Sequence, residues 1–187
     1  MRRALWWLVG AILCLAGTSS MTIRLIGAFA CVLGFLCNGS AIAQPKSIKE
    51  KIVGTWIYVS STAKREDGSA VQRPSLQGAV TYTADGRFHF ITVRTDAPKY
   101  ASGDPTRPSP DEAMAIASGV VAYTGTYTVD ENTKTIHPTV ETSSIPNFIG
   151  APNARRIVTS VTDEELKLTN PRTTAGLTLE LVFKRAK

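Results

Sequence analysis

The side chains best suited to acid–base chemistry are a histidine and a glutamate in one short segment, His137 and Glu141. An imidazole titrates near neutral pH and a carboxylate accepts protons, so these two types are typical of general acid–base catalysis. The segment predicts a β-strand, in which residues four apart share a face but lie roughly 13 Å apart. Because that separation prevents a direct hydrogen bond, each candidate needs a partner from a neighbouring strand. A solvated or structurally bonded His137 is the alternative.

The other reactive residue types indicate no further catalytic centre. His89 alternates with Phe88 and Phe90, so it points outward if those rings are buried. The chain has no phosphate-binding glycine loop, no Gly-x-Ser-x-Gly elbow and no His-x-x-x-His pair. Its three cysteines all lie in an apolar leader, so the mature chain lacks a thiolate and a cysteine-ligated metal. We therefore predict no metal and no cofactor.

Aromatic side chains recur along the predicted strands and are suited to contact with an apolar ligand. If the strands close into a barrel, inward aromatics either fill the interior or line a cavity, and residue type does not separate the two. Arg94 is in phase with Phe88 and Phe90, so it either points inward toward an anionic partner or lies on the solvated rim. The candidate aromatic residues are Tyr58, Tyr82, Phe88, Phe90, Tyr123 and Tyr127.

A β-hairpin over residues 76–94 organises the elements that must position these side chains. Asp85-Gly86 is a tight-turn signal, because glycine adopts positive φ and aspartate bonds the turn backbone. Val80 and Tyr82 share one face of the first strand, and Phe88 and Phe90 share one face of the second. An isolated hairpin is marginal in water, so this one must belong to a larger sheet.

Six further strands and one helix complete an all-β prediction. Ser109-Pro110-Asp111-Glu112 is a helix start with a capping box, and Gly119 is a plausible stop. Short connections between sequential strands favour an antiparallel meander of about eight strands, and closure into a barrel removes the exposed edges. An open or sandwiched sheet is the alternative. The further strands are predicted at 51–60, 121–130, 135–142, 156–162, 165–169 and 177–185.

Residues 1–43 are predicted to be a removable signal peptide, with Met21 as the alternative start. Arg24 is followed by a short apolar run, and Ala41-Ile42-Ala43 forms a small-x-small cleavage pattern before Gln44. The apolar runs fall short of the roughly 20 residues that a membrane-spanning helix needs. We expect export to the periplasm or the medium, leaving one domain at 44–187. An uncleaved leader is the alternative and the only predicted membrane contact.

Charge distribution argues against a nucleic-acid partner. Three arginines lie in the leader, which has no acidic residue, so 21 basic residues fall to 18 against 15 acidic ones and the net charge falls from +6 to +3. The remaining lysines and arginines are scattered, whereas nucleic-acid-binding proteins usually cluster them in a stripe. The sequence indicates no oligomeric state.

Several of these segments resemble the bacterial and fungal lipocalin-like domain family. The resemblance implies a small antiparallel barrel with an internal cavity, and little about chemistry. Trp56 resembles the tryptophan that plugs one barrel end beneath a basic residue, here Arg185 or Lys184. Family members often carry paired histidines where this chain has only His137, which weakens paired-imidazole chemistry. The matching segments are 53–56, 82–87, 101–104, 122–127, 146–150 and 155–156.

The resemblance also implies that Asn147 and Arg156 border the cavity mouth, the alternatives being turn stabilisation and a surface charge. We predict a binding protein that holds a small hydrophobic or amphipathic molecule in its barrel. Two alternatives remain open. One is an isomerase, cyclase or hydrolase that uses His137 or Glu141 as acid or base, and the other is a structural protein with a filled barrel.

Overall fold

The computed structural model describes residues 44–152 and 154–187, so the predicted signal peptide lies outside the described residues. Nine strands, two α-helices and one 3-10 turn make up this part of the chain. In chain order they are α1 (Ile48–Ile52), β1 (Gly54–Lys64), β2 (Ala70–Val71), β3 (Leu76–Tyr82), β4 (Arg87–Arg94), α2 (Pro110–Gly119), β5 (Val120–Asp130), β6 (Thr135–Ser143), the 3-10 turn (Pro146–Phe148), β7 (Arg156–Val161), β8 (Glu165–Asn170) and β9 (Thr178–Arg185).

Eight of the strands close into an antiparallel barrel. β1 pairs with β3, each strand from β3 onward pairs with the next, and β9 returns to pair with β1. The two-residue β2 lies outside this ring and pairs only with the end of β1. The structure confirms the predicted barrel, because closure pairs the edges that an open sheet would leave exposed.

Capping boxes explain both helices, and one of them was not predicted. Ser109 and Glu112 cap α2 reciprocally, as predicted. Ser47 and Glu50 form a capping box at the start of α1. The composition of this segment is polar and predicts no regular element. Ile52 at the end of α1 is fully buried, so tertiary packing stabilises a helix too short to persist alone. Among the described residues, neither helix has the length and apolar character needed to cross a membrane.

Two glycines occupy positions where the backbone leaves no alternative. Gly86 turns the β3–β4 hairpin with φ of 86°, which confirms the predicted turn. At Gly125 in β5, a Cβ atom would lie 1.9 Å from the carbonyl oxygen of Thr139 on β6. The strands approach closely here because the β5–β6 register shifts between Thr124 and Gly125.

Trp56 and Arg185 close one end of the barrel. The Trp56 side chain is fully buried, and its indole N–H donates to the Ile52 carbonyl oxygen at 2.7 Å. The Arg185 guanidinium carbon lies 4.1 Å from the centre of the Trp56 ring. Arg185 also donates to the carbonyl oxygens of Asp163, Val53 and Lys51 at 2.6, 2.9 and 2.8 Å. Of the two basic residues expected above Trp56, Arg185 is therefore the one in contact.

Connection lengths differ between the two ends. At the Trp56 end, short turns at 83–86, 131–134 and 162–164 join successive strands. At the opposite end the connections are longer, at 65–75, 95–119, 144–155 and 171–177. Loops at the rim of a rigid barrel tolerate variation and commonly carry binding residues, so the opposite end is the place to look for a site.

Candidate ligand-binding site

The inner wall is filled at the closed end and partly exposed toward the other. Tyr82, Phe88 and Tyr127 are 5%, 2% and 4% exposed, so these three predicted ligand contacts belong to the core. Further along β4 and β5, Phe90 and Tyr123 pack against that core but are only partly buried. Phe90 and Tyr123 lie toward the end with long connections, which we call the barrel mouth.

Tyr123 is the centre of the ring cluster at the barrel mouth. Its ring stacks on Phe90 with centroids 4.7 Å apart, and Phe88 meets it edge-on at 5.7 Å from below. Phe148, in the 3-10 turn, meets Tyr123 edge-on at 5.7 Å from the connection between β6 and β7. Offset-stacked and edge-to-face arrangements like these are the favoured aromatic geometries, and they present an apolar, polarisable surface.

Arg156 brings a positive charge to this cluster. It is the first residue of β7 and in phase with Val158, which is 3% exposed, so its side chain enters the barrel. Its Nη2 donates to the Tyr123 hydroxyl at 3.2 Å, and its Nη1 donates to the Arg155 carbonyl oxygen at 2.9 Å. Burial acts to lower the pKa of Arg156, but Tyr123 and Tyr82 raise it above the ordinary value. The guanidinium is therefore charged.

The buried tyrosines are neutral phenols. Burial is the main cause that raises the pKa of Tyr82, and neighbouring Tyr123 adds to it, whereas Arg156 opposes it. Burial and then the charge of Asp85 raise the pKa of Tyr127, whose hydroxyl donates to the Thr83 carbonyl oxygen at 2.9 Å. Neither group is available as a base near neutral pH, so these residues supply shape and not proton transfer.

Both candidate catalytic residues lie on the outer face of β6. Ile136 is fully buried, and His137 and Glu141 alternate with the inward positions of the strand and are exposed. Glu141 forms an ion pair with Arg87 across the outer surface at 2.7 Å. The two candidates are therefore not brought to the ring cluster. His89 is outward too, as predicted, and its Nδ1 lies 2.9 Å from the Thr124 hydroxyl.

The other predicted contacts lie around the rim or on the far wall. Arg94 donates two hydrogen bonds to Asp96 at 2.8 and 2.7 Å. Of the two positions predicted for Arg94, the structure therefore has the one on the rim. That pairing raises the pKa of Arg94 and lowers the pKa of Asp96. Asn147 is exposed on the 3-10 turn. Tyr58 is partly buried edge-on against Phe183 at 6.0 Å, on the β1–β9 side of the barrel.

Comparison with known proteins settles the family. The model of the lipocalin-like domain matches residues 53–185, which include every barrel strand. The chain belongs to the lipocalin-like domain family. A crystal structure of a lipocalin-like protein from Bacteroides uniformis ATCC 8492 is similar at 15% identity and a TM-score of 0.39, covering 73% of this chain and 99% of that one. None of the curated proteins matches the chain.

Phe148 is the contact in this lipocalin-like barrel that sequence reasoning missed as a site residue. The family resemblance covers the Pro146–Phe148 segment, but of these residues it predicts only Asn147 at the cavity mouth. A signal was present, because Phe148 is the one aromatic residue in the connection from 144 to 155. A large aromatic ring in a connection at the barrel rim favours a contact with the body of the domain.

A surface depression in the described part of the lipocalin-like domain lies against β4, β5 and β6. Its volume is about 350 Å³, and it is lined by His89, Phe90, Ala122, Tyr123, Thr124, Thr142, Ser143 and Ser144. Because Phe90 and Tyr123 also belong to the ring cluster, the depression borders the barrel mouth. Within residues 44–152 and 154–187, no three acidic, histidine or cysteine side chains are grouped to hold a metal ion.

Proposed function

We propose that the protein binds a small hydrophobic or amphipathic molecule at the barrel mouth. The observation that carries the proposal is the half-buried ring cluster of Phe90, Tyr123 and Phe148, which faces inward above a filled core. A pocket lined by aromatic rings with a few polar groups is the usual form of a small-molecule site. Because core side chains fill the barrel at the Trp56 end, the ligand is limited to the part of the barrel nearest the mouth.

Export is part of the proposal. The charged start, the apolar run and the Ala41-Ile42-Ala43 pattern support a signal peptide cleaved before Gln44. We expect the intact mass of the protein from the host's periplasm or medium to correspond to a chain beginning at Gln44. A chain recovered with residues 1–43 still attached would contradict cleavage.

Native mass spectrometry of protein purified from its own host tests the binding proposal directly. We expect an additional mass, consistent with one small molecule per chain, that is lost on denaturation. In parallel, the uncharged fluorophore N-phenyl-1-naphthylamine should bind with increased emission, because it is apolar and aromatic. Protein that is empty and leaves the fluorophore unbound would contradict the proposal.

A pair of neighbouring variants supplies the matched control. Phe90→Ala removes a ring from the mouth, whereas Ile91→Ala truncates the next residue, which is 49% exposed on the outer face. We expect Phe90→Ala to weaken fluorophore binding about tenfold, as the loss of one aromatic contact implies. Ile91→Ala should leave binding within about twofold of the unmodified protein. Equal effects of the two variants would place binding elsewhere.

A further inference from the structure

The charge of Arg156 at the barrel mouth has no acidic partner among residues 44–152 and 154–187. The ion pairs among the described residues engage other side chains, and none includes Arg156. Carrying a guanidinium into a partly buried, ring-lined site costs free energy unless an opposite charge or sufficient hydrogen bonds compensate it. The pairs are Lys64–Glu180, Arg87–Glu141, Arg94–Asp96, Arg107–Asp104 and Lys167–Glu165.

Hydrogen bonds to the described residues use two of the five N–H groups of Arg156. A guanidinium has five N–H groups, and Arg156 directs one to the Tyr123 hydroxyl and one to the Arg155 carbonyl oxygen. The Nε–H and the second N–H of each terminal nitrogen therefore have no acceptor among the described residues. Arg185 contrasts with this, since all three of its nitrogens donate to backbone carbonyl oxygens.

The Tyr123 hydroxyl adds a second hydrogen-bond donor beside the Arg156 guanidinium. Its hydroxyl oxygen accepts from Arg156, so its own hydrogen is free to donate to a further acceptor. The Tyr123 ring is meanwhile stacked on Phe90. A molecule that contacts these rings thus meets a charged fork and a phenol donor at one edge of an apolar surface.

We propose that Arg156 and Tyr123 bind the anionic group of the ligand, so that the barrel takes small monoanions with an apolar or aromatic body, such as carboxylates or sulfonates. The inference rests on the proposed function and names the chemical class of its ligand. A planar guanidinium fork matches one carboxylate or sulfonate through two parallel hydrogen bonds. The rings hold the body of the same molecule.

Two fluorophores that differ only in the anionic group test this inference on the protein as its host produces it. One is 1-anilinonaphthalene-8-sulfonate, and the other is N-phenyl-1-naphthylamine, which lacks the sulfonate. We expect the sulfonate to bind at least tenfold more tightly, the magnitude of a charge-assisted hydrogen bond. Its affinity should fall as sodium chloride is raised, whereas that of the uncharged compound should not.

Variants at Arg156 assign the preference to one side chain. Arg156→Gln should remove most of the difference between the fluorophores, and Arg156→Lys should retain part of it because the charge persists. Arg87→Gln, which removes a charge on the outer face, should leave both affinities unchanged. Circular dichroism and thermal unfolding confirm folding, and the two-fluorophore comparison on unmodified protein requires no variant.

The outcomes separate this inference from the proposed function. Equal binding of both fluorophores, unaltered by Arg156→Gln, would overturn the anion assignment and leave the proposed function standing. A sulfonate preference that survives Arg156→Gln would also overturn it. If neither fluorophore binds the unmodified protein, the proposed function fails, and the anion assignment fails with it.

Discussion

Two arginines enter the barrel from opposite ends, and their surroundings differ. Arg185 lies over Trp56, and its three nitrogens all donate to backbone carbonyl oxygens, so its hydrogen-bonding capacity is used within the fold. Arg156 contacts Tyr123 and its neighbour's carbonyl oxygen and pairs with no carboxylate among the described residues. The same residue type therefore stabilises the fold at the closed end and, in our proposal, binds a ligand at the mouth.

Truncation of Trp56, which plugs the closed end, should have the largest effect on stability. Trp56→Ala should cost about 3–5 kcal/mol of unfolding free energy, because the ring is fully buried and its loss leaves a cavity. Urea denaturation monitored by circular dichroism measures the change. A cost below about 1 kcal/mol would mean that Trp56 is not part of the packed core. Phe90→Ala, at the partly exposed mouth, is the comparison and should cost less.

Exchange of each arginine for methionine compares the two ends directly. Arg185→Met should destabilise by about 2–3 kcal/mol, because it removes charged hydrogen bonds and the cation–π contact with Trp56. Arg156→Met should change stability by less than about 1 kcal/mol, since no carboxylate loses its partner. The same denaturation experiment measures both. Equal costs would contradict the division between a structural and a ligand-binding arginine.

Alkaline pH should lower the free energy of unfolding, because burial raises the pKa of Tyr82 in the folded protein. The raised pKa of Tyr82 means that the unfolded chain ionises first, near pH 10, while the folded phenol keeps its proton. The stabilising contribution is complete below pH 10 and is lost as the pH rises through the folded pKa, by about 1.4 kcal/mol per pH unit. Tyr82→Phe should reduce that slope in urea titrations between pH 9 and 11. An unchanged slope would show that Tyr82 ionises freely in the folded state.

The smallest effects should come from the outer face of β6. Glu141→Gln breaks an exposed pair with Arg87 and should cost between 0 and about 1 kcal/mol. His137→Ala should change stability by less than about 0.5 kcal/mol, because the side chain is exposed. Neither variant should alter fluorophore binding. A loss of binding in either would extend the site beyond the mouth and revive these residues as candidates.

Alternation and turn chemistry made most of the barrel predictable. Leu181 and Phe183 share one face of β9, with Glu180 and Lys184 on the other face, and the structure buries Leu181 and Phe183. The capping box at Ser109 and the turn at Gly86 also appear where predicted. Predicted strand ends differ from the observed ones by a few residues, most at β1, which continues to Lys64. Its polar second half pairs with β9, and that pairing is not visible in local composition.

The candidate site was less predictable, although one signal was available. Ile136 and Val140 alternate with His137 and Glu141, and this pattern indicates that the two titratable residues face away from the core. The prediction relied on the residue types of His137 and Glu141 and not on this alternation, and it therefore kept both as catalytic candidates. The aromatic candidates could not be divided in advance into core and mouth, because the division depends on depth along the barrel.

The sequence by itself determined the eight barrel strands, α2 and the facing residues of the hairpin, because strand alternation, caps and turns are local properties of the chain. The resemblance to the family indicated the plug at Trp56. Only the tertiary structure decided which arginine is used by the fold and which reaches the rings. The position of Arg185 depends on the pairing of β9 with β1, which places Arg185 opposite Trp56. The position of Arg156 depends on the pairing of β7 with β6, which places Arg156 opposite Ile136. Such registers join residues far apart in sequence, so their consequences appear only when the barrel closes.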